Sequence, residues 1–204
     1  MRIGFDGKRA IRNFTGLGNY SRSTIKLLAD YFPEHQFFVY ADKFSPNRRT
    51  EFLQQYTNIQ LVTPKPSPIK LLWRSWGISE QIKEQKLDIY HGLSHELPFN
   101  IHYTGVRSIV TIHDLIFLRF PQYYSWIDRK IYTAKFKFAC RKADHIIAIS
   151  EQTKRDIIQY FGIEEKKISV VYQSCDPIFS KVVSDTEKAS IKQRYQLPEH
   201  YLLS

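Results

Sequence analysis

Two continuous apolar runs constrain this chain more than anything else in it. Ser108-Ile109-Val110-Thr111-Ile112 is apolar or β-branched almost throughout and turns polar only at its carboxyl end, in His113-Asp114. His145-Ile146-Ile147-Ala148-Ile149 repeats the pattern and ends in Ser150-Glu151. A strand without a polar alternate face must be covered on both sides, as strands inside a parallel sheet are. Between the two runs lies Trp126 to Lys142, where Ile127, Ile131, Ala134 and Phe138 fall within a narrow arc at about 100° per residue, the mark of a helix with one core face. Strand, helix, strand is the unit of a parallel α/β sheet.

The rest of the chain repeats that unit. Ile3-Gly4-Phe5-Asp6 reads as a strand, followed by a basic loop from Gly7 to Gly18 and a helix carrying Tyr20, Thr24, Leu27, Leu28 and Tyr31. Further strands are expected at Gln36–Tyr40, Ile59–Val62, Asp88–Gly92 and Ile168–Tyr172. Helical patterns are expected around Thr50 to Tyr56, from Leu71 to Lys86 with Leu72, Trp76 and Ile82, and from Glu151 to Phe161, capped by Ser150 and ended by Gly162. Pro64, Pro66 and Pro68 exclude regular structure between two of these elements. The expected class is α/β, a doubly wound, mostly parallel, Rossmann-like sheet, and 204 residues suffice for a full core. Asp176 to Gln196 is polar with a helical stretch near Thr186 to Tyr195, and Tyr201 to Ser204 reads as a strand just beginning. The expected division is therefore a Rossmann-like domain over 1–175, then a linker and the start of a second domain over 176–204.

In such a sheet ligands bind beyond the carboxyl ends of the strands. Polar residues gather there: Asp6 and Gly7, Asp42, His91 and Gly92, His113 and Asp114, Ser150 and Glu151, and Gln173. Strand, glycine loop and helix N-terminus present backbone N–H groups and a positive dipole end to an anion. Gly16 and Gly18 are not a dinucleotide fingerprint, because the loop from the strand is long and Ser21 stands at the third glycine position. Asp42 could still imitate a ribose-binding acid, which keeps a nicotinamide-dependent oxidoreductase among the readings. No Walker lysine follows Gly18. His113 ends a central strand, where an imidazole can hold a sugar hydroxyl or an oxyanion, and Asp114 could orient it or cap the next segment. His91 and His95 are four apart, but Gly92, Ser94 and Pro98 oppose a helix there, so a polar loop lining a cleft is expected rather than a zinc site.

The net charge of +10 occurs without a block of five or more basic residues, which argues against a nucleic-acid-binding tail and fits a broad positive face. The Trp126–Lys142 helix carries Arg129, Lys130, Lys135, Lys137, Arg141 and Lys142, with Tyr132 and Phe136 opposite the expected core face. It is either a solvated helix or one that meets an anionic membrane surface. No apolar run approaches the roughly 20 residues of a membrane span, and Met1-Arg2-Ile3-Gly4 leads straight into a strand, so a cytoplasmic address is expected. Cys140 and Cys175 lack metal-ligand spacing and are expected to be unlinked thiols.

Three stretches together resemble the N-terminal half of retaining, family-4 glycosyltransferases of the GT-B fold. They are Gly16-Leu17-Gly18-Asn19-Tyr20-Ser21, then Val110-Thr111-Ile112-His113-Asp114-Leu115, then Ala143 to Lys154 followed by Ile168 to Tyr172 and Asp176-Pro177. The resemblance implies a hexosyltransferase whose N-terminal domain holds the acceptor while a C-terminal domain holds the nucleotide-sugar donor. It implies transfer to a glycan or lipid-linked acceptor, as in polysaccharide or lipopolysaccharide biosynthesis, without metal or other cofactor. Peripheral attachment at the inner membrane face, through Arg129, Lys130, Lys135 and Lys137, follows from the same reading. His113 would act on the transferred sugar. Gly16, Leu17, Gly18, Asn19, His91, Asp114, Ser150 and Glu151 would line the substrate site, and Lys8, Arg9 and Arg12 would steer anions. Where the family has an asparagine-glycine pair, this chain has Gln173-Ser174-Cys175. The resemblance further implies that these 204 residues alone transfer no sugar. A stand-alone nucleotide- or phosphosugar-binding module is the alternative.

Overall fold

A computed structural model of the chain describes residues 1–44, 46–65, 73–175 and 177–202. The chain divides into two compact units, Met1–Gln173 and Ser174–Ser204. The first contains β1 (Arg2–Asp6), α1 (Lys8–Arg12), α2 (Gly16–Tyr31), β2 (Gln36–Tyr40), α3 (Phe52–Gln55), β3 (Ile59–Val62), α4 (Ile78–Glu84), β4 (Ile89–Gly92), β5 (Arg107–Ile112), α5 (Ile116–Arg119), α6 (Trp126–Lys142), β6 (His145–Ala148), α7 (Glu151–Phe161) and β7 (Ile168–Val170).

The strands form one parallel sheet of seven, in the order β3-β2-β1-β4-β5-β6-β7. Alternation along β2 shows why both faces must be covered: Phe37 and Val39 pack with Phe5, Ala10, Ile11, Ile25 and Leu53, while Phe38 and Tyr40 pack with Trp73, Ile78, Ile82 and Tyr90. Crossovers from β1 through α2 and α3 run one way along the sheet, and those through α4, α6 and α7 run the other. With right-handed crossovers, the first set covers one face and the second set the other. The direction reverses between β1 and β4, the switch point where such sheets bind ligands. The doubly wound α/β class expected from the sequence is the fold observed.

Three local readings are corrected. The loop from Gly7 to Gly18 contains a helix, α1, whose Ala10 and Ile11 are buried against the sheet. The helix expected from Leu71 starts with a π-helical turn, Trp73–Gly77, before α4, and the extra residue per turn buries Trp73 and leaves Trp76 exposed. On α6 the expected face packs inward only at Phe138, on Phe99 at 5.0 Å, and the rest of the buried surface lies on the other side. Ala139 and Cys140 are buried, Phe136 packs on Phe117 at 5.3 Å and Tyr132 packs on the same ring at 5.7 Å, while Ile127 and Ile131 are 63% and 45% exposed.

Ser150 caps α7 by accepting from Thr153 N at 3.1 Å, and Gly162 closes it in the left-handed region, both as expected. Cys140 and Cys175 are free, and burial pushes the Cys140 thiol up to about 12. The second unit holds α8 (Asp185–Arg194), opened by a capping box between Ser184 and Glu187. Tyr201 and Leu202 have no regular structure, contrary to the strand read there. The readings placed on Pro66, Pro68, Leu71, Leu72, Asp176, Leu203 and Ser204 lie outside the described residues.

Candidate functional site

At the carboxyl end of β5 the strand stops at Ile112, leaving His113 just beyond the sheet and buried. Its Nε2 lies 3.0 Å from the Leu93 carbonyl oxygen, which only accepts, so Nε2 carries the proton. Nδ1 then offers a lone pair, and the Gln173 amide nitrogen stands 3.1 Å from it. Tyr20 of α2 meets the ring edge-on at 4.7 Å and His95 at 5.1 Å. Burial pushes His113 below the ordinary imidazole value, against the opposing pull of the Leu93 carbonyl and Asp114. At neutral pH the ring is uncharged, with Nε2 donating to Leu93 and Nδ1 accepting from Gln173.

The neighbouring histidines have other roles. His91 is buried, its Nε2 2.8 Å from Thr111 Oγ1, which also meets Tyr20 Oη at 3.1 Å. It supports the floor of the site from within the sheet and is not open to a substrate, which corrects its assignment as a binding residue. His95 has a left-handed backbone, φ 63°, and its ring stacks flat on Phe136 at 4.3 Å. Burial, with the field of His113, holds His91 at about 4 and His95 at about 3.

The N-terminus of α2 forms a second wall. The Asn13 side chain accepts from Thr15 N at 3.0 Å and from Gly18 N at 3.0 Å, so one first-turn N–H is already satisfied inside the protein. A Cβ on Gly18 would lie 1.8 Å from the Asn13 carbonyl oxygen, so glycine is required there by the close approach of the loop. Nothing lies within 4 Å of a Cβ at Gly16, which is exposed, while Leu17 is half-buried. Asn19 accepts from Arg22 Nη2 at 2.6 Å, and Arg22 is itself buried with Nη1 bonded to the Ala10 and Asn13 carbonyls at 2.8 Å. That clamp holds α1 against α2 and engages the Asn19 side-chain oxygen, while Asn19 itself is exposed.

The three steering cations separate. Arg12 pairs with Asp42 at 2.7 Å, which neutralises it and also occupies the acid that had suggested a ribose site. The side chains of Lys8 and Arg9 have no hydrogen bond or ion pair among the described residues. The field of Arg9 reaches His95 and His113. Asp114, one residue before the α5 N-cap, accepts from Ile116 N at 3.2 Å. Ser150 is occupied as the α7 cap, with Thr153 Oγ1 donating onward to the His113 carbonyl at 2.9 Å, while Glu151 is exposed.

At His113 the structure brings together Tyr20, His95 and Gln173, with Thr111 behind Tyr20 and Arg9 near enough for its field to reach the ring; His95 and Gln173 were expected along the cleft, Tyr20 and Thr111 were not assigned there. Gln173 had a signal, the departure from the family's asparagine, but its contact with His113 spans 60 residues. Among the described residues no group of three or more His, Cys, Asp or Glu is placed to hold a metal ion. No described helix is long and apolar enough to cross a membrane.

The sequence model for Glycosyltransferase Family 4 matches residues 14–178. No curated protein matches the chain. Among solved structures, HepE of Anabaena, in complex with UDP-glucose, superposes with a TM-score of 0.66 at 16% identity over 96% of this chain and 50% of that one. A glycosyltransferase of Rickettsia africae gives 0.62 at 15% identity, over 97% of this chain and 50% of that one. The lipopolysaccharide outer core galactosyltransferase WaaB gives 0.52 at 20% identity, over 86% and 46%. The chain spans about half the length of these structures. Sharing a fold at this identity, they give no support to a nicotinamide-dependent oxidoreductase.

Proposed function

The chain belongs to glycosyltransferase family 4, and from that premise we propose that it is the acceptor-side half of a retaining hexosyltransferase. A C-terminal domain would hold the nucleotide-sugar donor. The observation that carries this reading is the placement at the uncharged His113, beyond the carboxyl end of β5, of Tyr20 from α2 and of Arg9, whose field reaches the ring and whose side chain has no ion pair among the described residues. A helix end and cations without an ion pair among the described residues suit a departing diphosphate, and a neutral imidazole would hold a hydroxyl of the transferred sugar once that hydroxyl takes the place of the Gln173 amide at Nδ1. Front-face transfer, with the leaving phosphate taking the acceptor proton, then asks this domain for positioning and exclusion of water and for no strong base. HepE binds UDP-glucose and WaaB acts on lipopolysaccharide outer core, which supports a nucleotide-sugar donor and a surface-polysaccharide or lipopolysaccharide acceptor. A panel of nucleotide sugars, assayed with the enzyme containing both halves, tests the reading. One donor should release nucleotide diphosphate on transfer, and His113→Ala should lower kcat about 100-fold with a much smaller change in KM. Unchanged turnover would make His113 structural.

The membrane face belongs to the same proposal, moved to different residues. Lys135 is paired with Glu96 at 3.4 Å, and Lys137 is half-buried. The corner before and into α6 instead exposes Tyr123 (77%), Trp126 (68%) and Ile127 (63%), with Lys130 over the Trp126 ring at 5.6 Å. Aromatic and aliphatic side chains beside cations suit an anionic lipid interface in the inner leaflet. Flotation should recover the protein with vesicles rich in phosphatidylglycerol and leave it behind with pure phosphatidylcholine. Trp126→Ser with Ile127→Ser should abolish recovery, and equal recovery of the variant would remove this face.

A further inference from the structure

We propose that Gln173 is a built-in competitor for the substrate at His113, its amide holding the imidazole lone pair until a sugar hydroxyl replaces it. The proposal deepens the glycosyltransferase reading above and rests on it. Both ring nitrogens of His113 are engaged. Nε2 donates to the Leu93 carbonyl, which fixes the proton there and leaves Nδ1 as the one acceptor on the ring. The Gln173 side-chain nitrogen stands 3.1 Å from Nδ1. A ring nitrogen has a single in-plane lone pair, so the amide occupies the position that a donating hydroxyl would take.

The contacts around His113 differ in how readily they can be exchanged. Leu93 is buried, and its loop is pinned to β5 by the His95 N–H, which donates to the Thr111 carbonyl at 2.9 Å. A Cβ on Gly92 would meet the Glu96 carbonyl oxygen at 2.1 Å, so that loop folds tightly over the strand end. The His113 carbonyl accepts from buried Thr153 in the first turn of α7. Tyr20 meets the ring edge-on, with its hydroxyl 3.1 Å from Thr111 Oγ1. Gln173 alone among these partners is exposed. It lies past the end of β7, outside regular structure, and is the last residue of the first unit. Releasing an unbranched side chain there restores its rotamer freedom, whereas moving any other partner disturbs a strand end or a helix turn.

The size of the competition follows from ordinary hydrogen-bond energetics. A bond between neutral groups, exchanged against water, corresponds to a factor of about 3 to 10 in an equilibrium. With Gln173 in place only the released fraction of molecules can take the sugar, and the apparent affinity falls by about that factor. A hydroxyl held by the rest of the sugar arrives aligned, so it forms the better bond and displaces the amide. In the absence of sugar the amide keeps the Nδ1 lone pair satisfied, and the imidazole stays in one tautomer and one orientation. A competitor and a merely structural residue therefore predict opposite signs. Removing the amide of a competitor tightens sugar binding, and removing that of a structural support loosens it.

The test joins a histidine nitrogen spectrum of this chain to kinetics of the enzyme containing both halves. Gln173→Met keeps the length of the side chain and removes the donor. It should move the His113 Nδ1 resonance and leave Nε2 in place, with an unchanged fold checked by the amide spectrum. In the two-domain enzyme it should lower the KM for the nucleotide sugar about 3- to 10-fold. That gain should vanish in the His113→Ala background, because the competition needs the imidazole. An unmoved Nδ1 resonance, a KM that rises or stays the same, or a gain that persists without His113 would each overturn the competition. Turnover by the unaltered enzyme alongside any of these results leaves the glycosyltransferase reading intact. Failure of the unaltered enzyme to turn over any nucleotide sugar would overturn that reading and this proposal with it.

Discussion

At the scale of single residues, the site is built around three buried histidines, His91, His95 and His113. His113 was legible because it ends the strongest apolar strand of the chain, where side chains emerge into a cleft. The tautomer it adopts was not legible, because Leu93 and Gln173 reach it from other elements. His91 and His95 are four apart, but the intervening glycine and serine had already pointed to a loop lining a cleft instead of a metal pair. One turns into the sheet against Thr111, and the other stacks on Phe136, a difference that spacing does not contain. Their burial has a consequence for stability. Both hold pKa values of about 4 and about 3, below the ordinary imidazole value. As pH falls, the unfolded chain therefore takes up protons first. The contribution is fully present above about pH 6.5 and is lost as pH falls from there towards the folded values, at up to about 1.4 kcal/mol per pH unit for each group. Urea midpoints should accordingly drop between pH 7.5 and pH 5, and His91→Asn should flatten that dependence. A midpoint independent of pH in this window would mean that these rings protonate freely in the folded protein.

At the scale of elements, strand and helix positions were legible wherever period and caps agreed, as in β2, β3 and α7. Which face a helix buries was less so. In α6 the arc through Ile127, Ile131, Ala134 and Phe138 and the arc through Tyr132, Phe136 and Cys140 are both coherent, and hydropathy favours the first. Packing favours the second at Tyr132, Phe136 and Cys140, because Phe117 and His95 supply aromatic partners that no local window contains, and keeps only Phe138 of the first, on Phe99. Phe136→Ala should therefore cost about 3 kcal/mol in chemical denaturation, while Ile127→Ser should stay within about 0.5 kcal/mol. The reverse ranking would restore the first face. The α1 helix escaped reading for a similar reason, since its hold on α2 depends on the buried Arg22 and its bonds to Ala10, Asn13 and Asn19.

At the scale of the whole molecule, the parallel doubly wound sheet follows from sequence alone, since unbroken apolar strands between helices have few other solutions. The ion pairs of Arg74 with Asp6 and Glu96 do not follow, because they join β1, the turn before α4 and the loop after β4. The central claim is a division of labour in which this half positions the acceptor and a second half binds the donor. It is tested most directly by nucleotide-sugar turnover measured on the 204-residue chain alone and on the same chain joined to its donor domain. The account predicts no transfer and no donor hydrolysis by the first and sugar transfer by the second. Turnover by the 204 residues alone would contradict it.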